Sequence, residues 1–145
     1  MKKIIFKIVT PERIVFQDEI NQVTLSTQTG QITILPDHIP LVSILAPGEM
    51  IIRKDKEEIP FAVSSGFIEV QNNQVSILAD TAEQVEEIDE ARAEEAKKRA
   101  QELLKNKKQD TQEFTQISAQ LERELIRLKV KRRHRSRRRI NLNGQ

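Results

Sequence analysis

The side chains best placed to do chemistry are two histidines and a group of arginines with acids beside them. His38 sits in Pro36-Asp37-His38-Ile39-Pro40, where two prolines fix a bend, so it reads as a turn residue with a structural or surface contact. His134 is the only other histidine. There is no metal-binding His pair, no Gly-rich phosphate loop and no cysteine, so no catalytic residue and no metal ligand are expected. Arg123 and Arg127, four residues apart, share one face of a helix. If that helix folds back on the one before it, they approach a face bearing Asp89, Arg92 and Arg99, and several guanidiniums around one acid could hold a polyphosphate. The alternative is ordinary helical pairing, Asp89 with Arg92 and Glu95 with Arg99, worth about 0.2–0.5 kcal/mol per pair. Spacing alone favours the pairing.

The elements that must position these groups change character between Ser76 and Ala93. Before this stretch come short apolar runs separated by turns: Ile4 to Val9, Ile14 to Phe16, Val23 with Leu25, Ile32 to Leu35, Leu41 to Leu45, Met50 with Ile52, Ile59 to Val63, Phe67 to Val70 and Val75 to Leu78. Asn72-Asn73, which tolerates positive φ, divides the last two. Many short strands without a helix between them predict an antiparallel β-sandwich or flattened barrel. After it, Thr81 and Gln84 form a capping-box pattern, predicting a first helix from about Ala82 to Leu104 with a mostly alanine stripe. A polar break at Asn106 to Gln109 ends it, and Asp110 with Glu113 repeats the capping pattern. The second helix carries Phe114, Ile117, Leu121, Leu125 and Leu128. A short link makes the two an antiparallel hairpin. A buried leucine contributes about 1.5–3 kcal/mol and an alanine methyl only about 0.8 kcal/mol, so an alanine face on a leucine face is an interface weak enough to open.

The predicted organisation is a β-sandwich over 1–82, a helical hairpin over 83–133 and a basic, disordered tail over 134–145. Among the 145 residues, proline and glycine fall in the first half except for Gly144. The net charge of +2 hides an acidic run, Glu83 to Glu95, and a stretch from Lys129 to Arg139 holding eight basic residues and no acid. Such a tail suits an anionic partner. A basic nucleic-acid-binding module is therefore the alternative reading, although 3% aromatic content leaves little to stack on bases. No stretch approaches the roughly 20 apolar residues of a membrane helix, so the expectation is a soluble intracellular protein, peripheral where it meets a membrane.

Five segments, in order, resemble the epsilon-subunit family of bacterial F-type ATP synthases over residues 1 to 130: Gly30 to Leu41, Pro47-Gly48, Ser65 to Val70, Val75 to Ala82, and Ile88-Asp89-Glu90-Ala91-Arg92-Ala93. The resemblance implies a non-catalytic subunit of the central stalk, at the cytoplasmic face of the bacterial membrane, that couples proton flow to ATP synthesis. Its implied partners are the gamma subunit, near His38, and the ring of c subunits, at the loop around Gln31. The hairpin would be regulatory: closed on the sandwich, or extended into the alpha/beta head to inhibit ATP hydrolysis. In some members the closed hairpin binds ATP. By motif and register the corresponding positions are Glu83, Ile88, Asp89, Arg92, Ala93, Arg99, Arg123 and Arg127, with ATP a possible regulatory ligand and no cofactor required. Two features depart from the family pattern. Thr33 replaces a usual glycine, so its backbone must avoid positive φ. The tail beyond Lys131 is longer and more basic than usual, and is expected to strengthen the extended state by pairing with acidic surface of the head.

Overall fold

A computed structural model describes residues 2–109 and 111–143. The chain divides into two compact units between Gln84 and Val85.

The first unit holds ten strands: β1 (Ile4–Val9), β2 (Ile14–Ile20), β3 (Gln22–Thr27), β4 (Gly30–Ile34), β5 (Leu41–Leu45), β6 (Gly48–Lys54), β7 (Glu57–Val63), β8 (Gly66–Gln71), β9 (Gln74–Ala79) and β10 (Ala82–Gln84). They form one sheet in the order β10-β7-β6-β3-β5-β8-β9-β1-β2, with β4 added to β3. The sheet curls until its β2 end meets β6, where Asp18 pairs with Lys54. This is the sandwich, close to a barrel, that the alternating runs predict. Alternation places Ile4, Phe6 and Ile8 of β1 and Val75 and Ile77 of β9 inside, in one core with Met50, Ile52 and Phe61. Phe16 packs edge-on against both Phe6 and Phe61, with ring centroids 6.0 and 5.7 Å apart.

Two-residue turns close three of the hairpins. Asn72 and Asn73 both adopt positive φ (52° and 60°), as does Asp55 (55°) at the β6–β7 turn, and Gly30 (126°) follows the β3–β4 turn. Thr33 stays extended in β4, and its hydroxyl meets that of Thr24 across the strand pair at 2.9 Å. One pairing departs from the antiparallel expectation. β1 lies parallel to β9, in register from Ile5↔Gln74 to Val9↔Leu78. Asn73 secures this edge: its side chain donates to Lys3 O and accepts from the Asp37 amide, while its carbonyl accepts from Ile5 N.

The second unit begins later in the chain than the capping pattern predicts. Thr81 does not start a helix. Its amide donates to Ser64 Oγ and its carbonyl accepts from Ser64 N, which commits Ala82–Gln84 to β10 along the open side of β7. An edge strand with unpaired amides outcompetes a local cap, because each new ladder bond also satisfies a group on β7. After a 3-10 turn, Val85–Glu87, the helix α1 (Glu90–Lys105) starts from Asp89, whose carboxylate accepts from Arg92 N at 3.2 Å. The predicted cap at Asp110 lies outside the described residues. Among the described residues, Thr111 Oγ1 accepts from Phe114 N at the start of α2 (Gln112–Asn143).

Two further corrections concern α2. Leu125, expected on the inward stripe, is 44% exposed, while Glu124 is buried at 4%. Three-and-four spacing through Phe114, Ile117, Leu121 and Leu128 leads to position 124, one residue away from the leucine. Residues 134–143, expected as a disordered tail, continue the helix without a break. Arginine is a good helix former, and this stretch contains neither proline nor glycine.

Candidate functional site

Helix geometry distributes the expected nucleotide-binding positions unevenly. Ile88 and Ala93 are buried, so they act as packing residues at the start of α1. Asp89 is engaged twice, as helix cap and as partner of Arg92 (Nε–Oδ2 3.6 Å), which is the ordinary pairing anticipated from spacing. Arg92, Arg99 and Arg123 are exposed. Arg127 is largely covered and pairs through Nη1 with the buried Glu124 carboxylate at 2.9 Å. Glu83 lies in β10 and so belongs to the sandwich unit, whereas the other seven positions lie in the helical unit. Among the described residues no cluster of His, Cys, Asp and Glu could hold a metal ion.

Sequence reasoning missed the densest charge network in the helical unit. Arg132 reaches across to α1 and bridges Glu90 (3.1 Å) and Glu94 (3.0 Å), while Arg135 also pairs with Glu90 (2.7 Å). Lys131 Nζ donates to the Val85 carbonyl at 3.0 Å. Burial opposes ionisation of Glu94, but Lys97 and Arg132 outweigh it and hold its carboxyl below the ordinary range. The hydrogen bond to Glu90 keeps Arg132 above its ordinary value. The signal was present as an acidic run and a basic run of opposite sign on consecutive helices.

On the sandwich, Gln31 is exposed beside the β3–β4 turn. The turn itself is tied down: the buried Thr27 hydroxyl donates to Gly30 O at 2.8 Å, and Gln28 N donates to Ile44 O of β5. His38 is half-buried, with Nδ1 2.7 Å from Ile39 O, next to an Asp37 held at φ 62°. The sandwich also carries an apolar row that the strand runs do not single out. Ile44, Phe67, Leu78, Val9 and Ile14 are successive register partners across β5, β8, β9, β1 and β2 on the outer face. Ile44 (54%), Phe67 (45%) and Ile14 (57%) are exposed, and Val42 (73%), two residues along β5, extends the patch. A contiguous apolar stripe of this kind is a candidate contact surface.

A barrel-like sandwich with one apolar outer row, followed by a charged helical hairpin, defines a two-part protein built around surfaces for contact. The chain belongs to the ATP synthase delta/epsilon chain family. The model of that family's beta-sandwich domain matches residues 3–85, and that of its long alpha-helix domain matches residues 86–132. The chain is 44% identical over 133 residues to the ATP synthase epsilon chain of Chloroflexus aggregans, covering 92% of this chain and 95% of that one. It is 41% identical to that of Herpetosiphon aurantiacus, covering 90% and 96%. Its fold is similar to a chain in the cryo-EM structure of the Euglena gracilis mitochondrial ATP synthase (TM-score 0.65, 21% identity, 92% of this chain and 80% of that chain). Among the described residues no helix is long and apolar enough to cross a membrane.

Proposed function

We propose that the chain is a central-stalk subunit of an F-type ATP synthase, peripheral at the cytoplasmic face of a bacterial membrane. There it couples proton flow through the c ring to ATP synthesis, without a catalytic site of its own. The observation that carries this reading is the pair of family matches, which together run from residue 3 to residue 132 in the order sandwich then helices. The apolar row Ile44-Phe67-Leu78-Val9-Ile14 supports it, because it supplies a face for the gamma subunit to cover. The tied-down turn beside Gln31 would face the c ring. No observation favours a nucleic-acid-binding module, since Arg132 and Arg135 are engaged by carboxylates of α1.

The helical unit is the regulatory part, inhibiting ATP hydrolysis when it extends into the alpha/beta head. ATP is its proposed regulatory ligand, held by Arg92, Arg99, Arg123 and Arg127 with Ile88, Asp89 and Ala93; Glu83 is the remaining family position. Polyphosphate would have to replace Glu124 as a partner of Arg127, which makes affinity depend on that exchange.

The test of the stalk assignment is co-purification with the gamma subunit. Ile44→Asp with Phe67→Asp should abolish association while leaving the sandwich folded, because both side chains already face solvent. Undiminished association would remove the assigned face. For the ligand, calorimetric titration with ATP should show one saturable site in the parent chain and none in Arg92→Ala or Arg127→Ala. No heat at millimolar ATP would leave these arginines as structural pairs.

A further inference from the structure

The basic end of α2 has a partner within its own unit. Arg132 and Arg135 lie on consecutive turns of α2, and Glu90 and Glu94 on consecutive turns of α1. They interlock: Arg132 spans both acids, Glu90 receives both arginines, and all three contacts fall between 2.7 and 3.1 Å. Lys131 adds a fourth tie, to the carbonyl of Val85 just ahead of α1. Glu90 and Glu94 retain about 30% exposure and the two arginines 49%. These are partly shielded charges, screened less than fully solvated ones but still reachable by salt. The ties sit at the end of the hairpin away from the link between α1 and α2, where no short connection keeps the two helices together. Elsewhere the α1 side of the unit is short of large side chains, burying only Ala93 and Ala100, while α2 buries Leu128 and Val130. Arg135 also lies beyond residue 132, where the match to the family's helical domain ends.

We propose that the C-terminal turns of α2, through Lys131, Arg132 and Arg135, form an electrostatic clasp that fastens the open end of the hairpin to Val85, Glu90 and Glu94. The clasp works without nucleotide. It assigns the basic extension to holding the two helices together, in contrast to the expectation that the extension serves the extended state. Its strength is set by ionic strength, so salt loosens the pair of helices from the end opposite their turn.

The chain has no cysteine, so spin labels can be placed without background. Ala91→Cys and Ser136→Cys put labels at exposed, uncharged positions beside the clasp. In the full-length chain at low salt the distance distribution should be narrow. Arg132→Glu with Arg135→Glu should reduce the narrow population about threefold or more, and about 1 M salt should do the same to the parent. Exchanging the charges, by adding Glu90→Arg and Glu94→Arg to that variant, should restore the narrow peak. A distribution unchanged by charge reversal overturns the clasp. So does a loss that the exchanged variant fails to rescue, because the reversal would then have acted on helix folding and not on pairing.

Discussion

Glu124 and Arg127 lie one turn apart on α2, and the acid is the more deeply buried of the two. Taking the cation away strands a carboxylate in the interface. Arg127→Ala should therefore destabilise the helical unit by about 1–3 kcal/mol. Replacing both, as Glu124→Leu with Arg127→Leu, should recover most of that loss, since an apolar pair of similar size needs no compensation. Thermal unfolding followed at the helical signal checks both, and a neutral single variant would mean that Glu124 finds water. Gly66 is a second position where one atom decides. A Cβ there would meet the Leu78 carbonyl oxygen at 2.0 Å, and both are backbone-fixed on paired strands. Gly66→Ala should cost about 1–3 kcal/mol by forcing β8 and β9 apart, read as a lower denaturant midpoint of the sandwich. Neither effect depends on ATP or on a partner subunit.

At the scale of elements, acid should loosen the hairpin before it loosens the sandwich. Lys107 holds the Glu113 carboxyl below its ordinary value of 4.5 across the inter-helix turn, and Glu94 is held below 4.5 at the other end. A group depressed on folding contributes stability that is present above its unfolded value and lost as pH falls through the folded one. Helix pairing should therefore weaken progressively below about pH 4.5, whereas Asp18, held by Lys54 below a starting value of 3.8, protects the β2–β6 closure to lower pH. A circular dichroism titration from about pH 6 to about pH 3 with distance labels on the helices orders the two events. The strands were largely legible because alternation and two-residue turns are local: Ile4–Val9 and Leu41–Leu45 keep the bounds their apolar runs suggest. The start of α1 was not, because the free edge of β7 that captures Ala82–Gln84 is a product of tertiary folding. The inward place of Glu124 was hidden for a related reason. A polar residue one position from a leucine carries no signal of burial until the partner helix and Arg127 are in place. Of the candidate site, the Asp89–Arg92 pairing was readable from spacing, but the cross-helix clasp needed the register of two helices.

For the whole molecule, the two units answer to different variables. The sandwich rests on a continuous apolar core and should be nearly indifferent to salt, while the hairpin sets the small buried side chains of α1 against few large ones on α2 and adds charge pairs. Raising salt to about 1 M should leave the sandwich's protected amides unchanged in hydrogen exchange and speed exchange in α1 and the distal half of α2. Equal responses in both units would show that they do not unfold separately.

The parallel seam between β1 and β9 also bears on how the protein is made. Strand β1 is synthesised well before its neighbour: residues 4–9 must remain beside β2 alone until residues 74–79 have left the ribosome. At roughly 5–20 residues per second this is an interval on the order of several seconds, during which β1 has only one of its two strand neighbours. Asn73, arriving just ahead of β9, then supplies two bonds that seat the seam, to Lys3 O and from Ile5 N, and a third that ties it to Asp37. The last internal hairpin of the sandwich to emerge is thus the one that completes its first strand, and a nascent chain halted before it leaves an aggregation-prone ribbon.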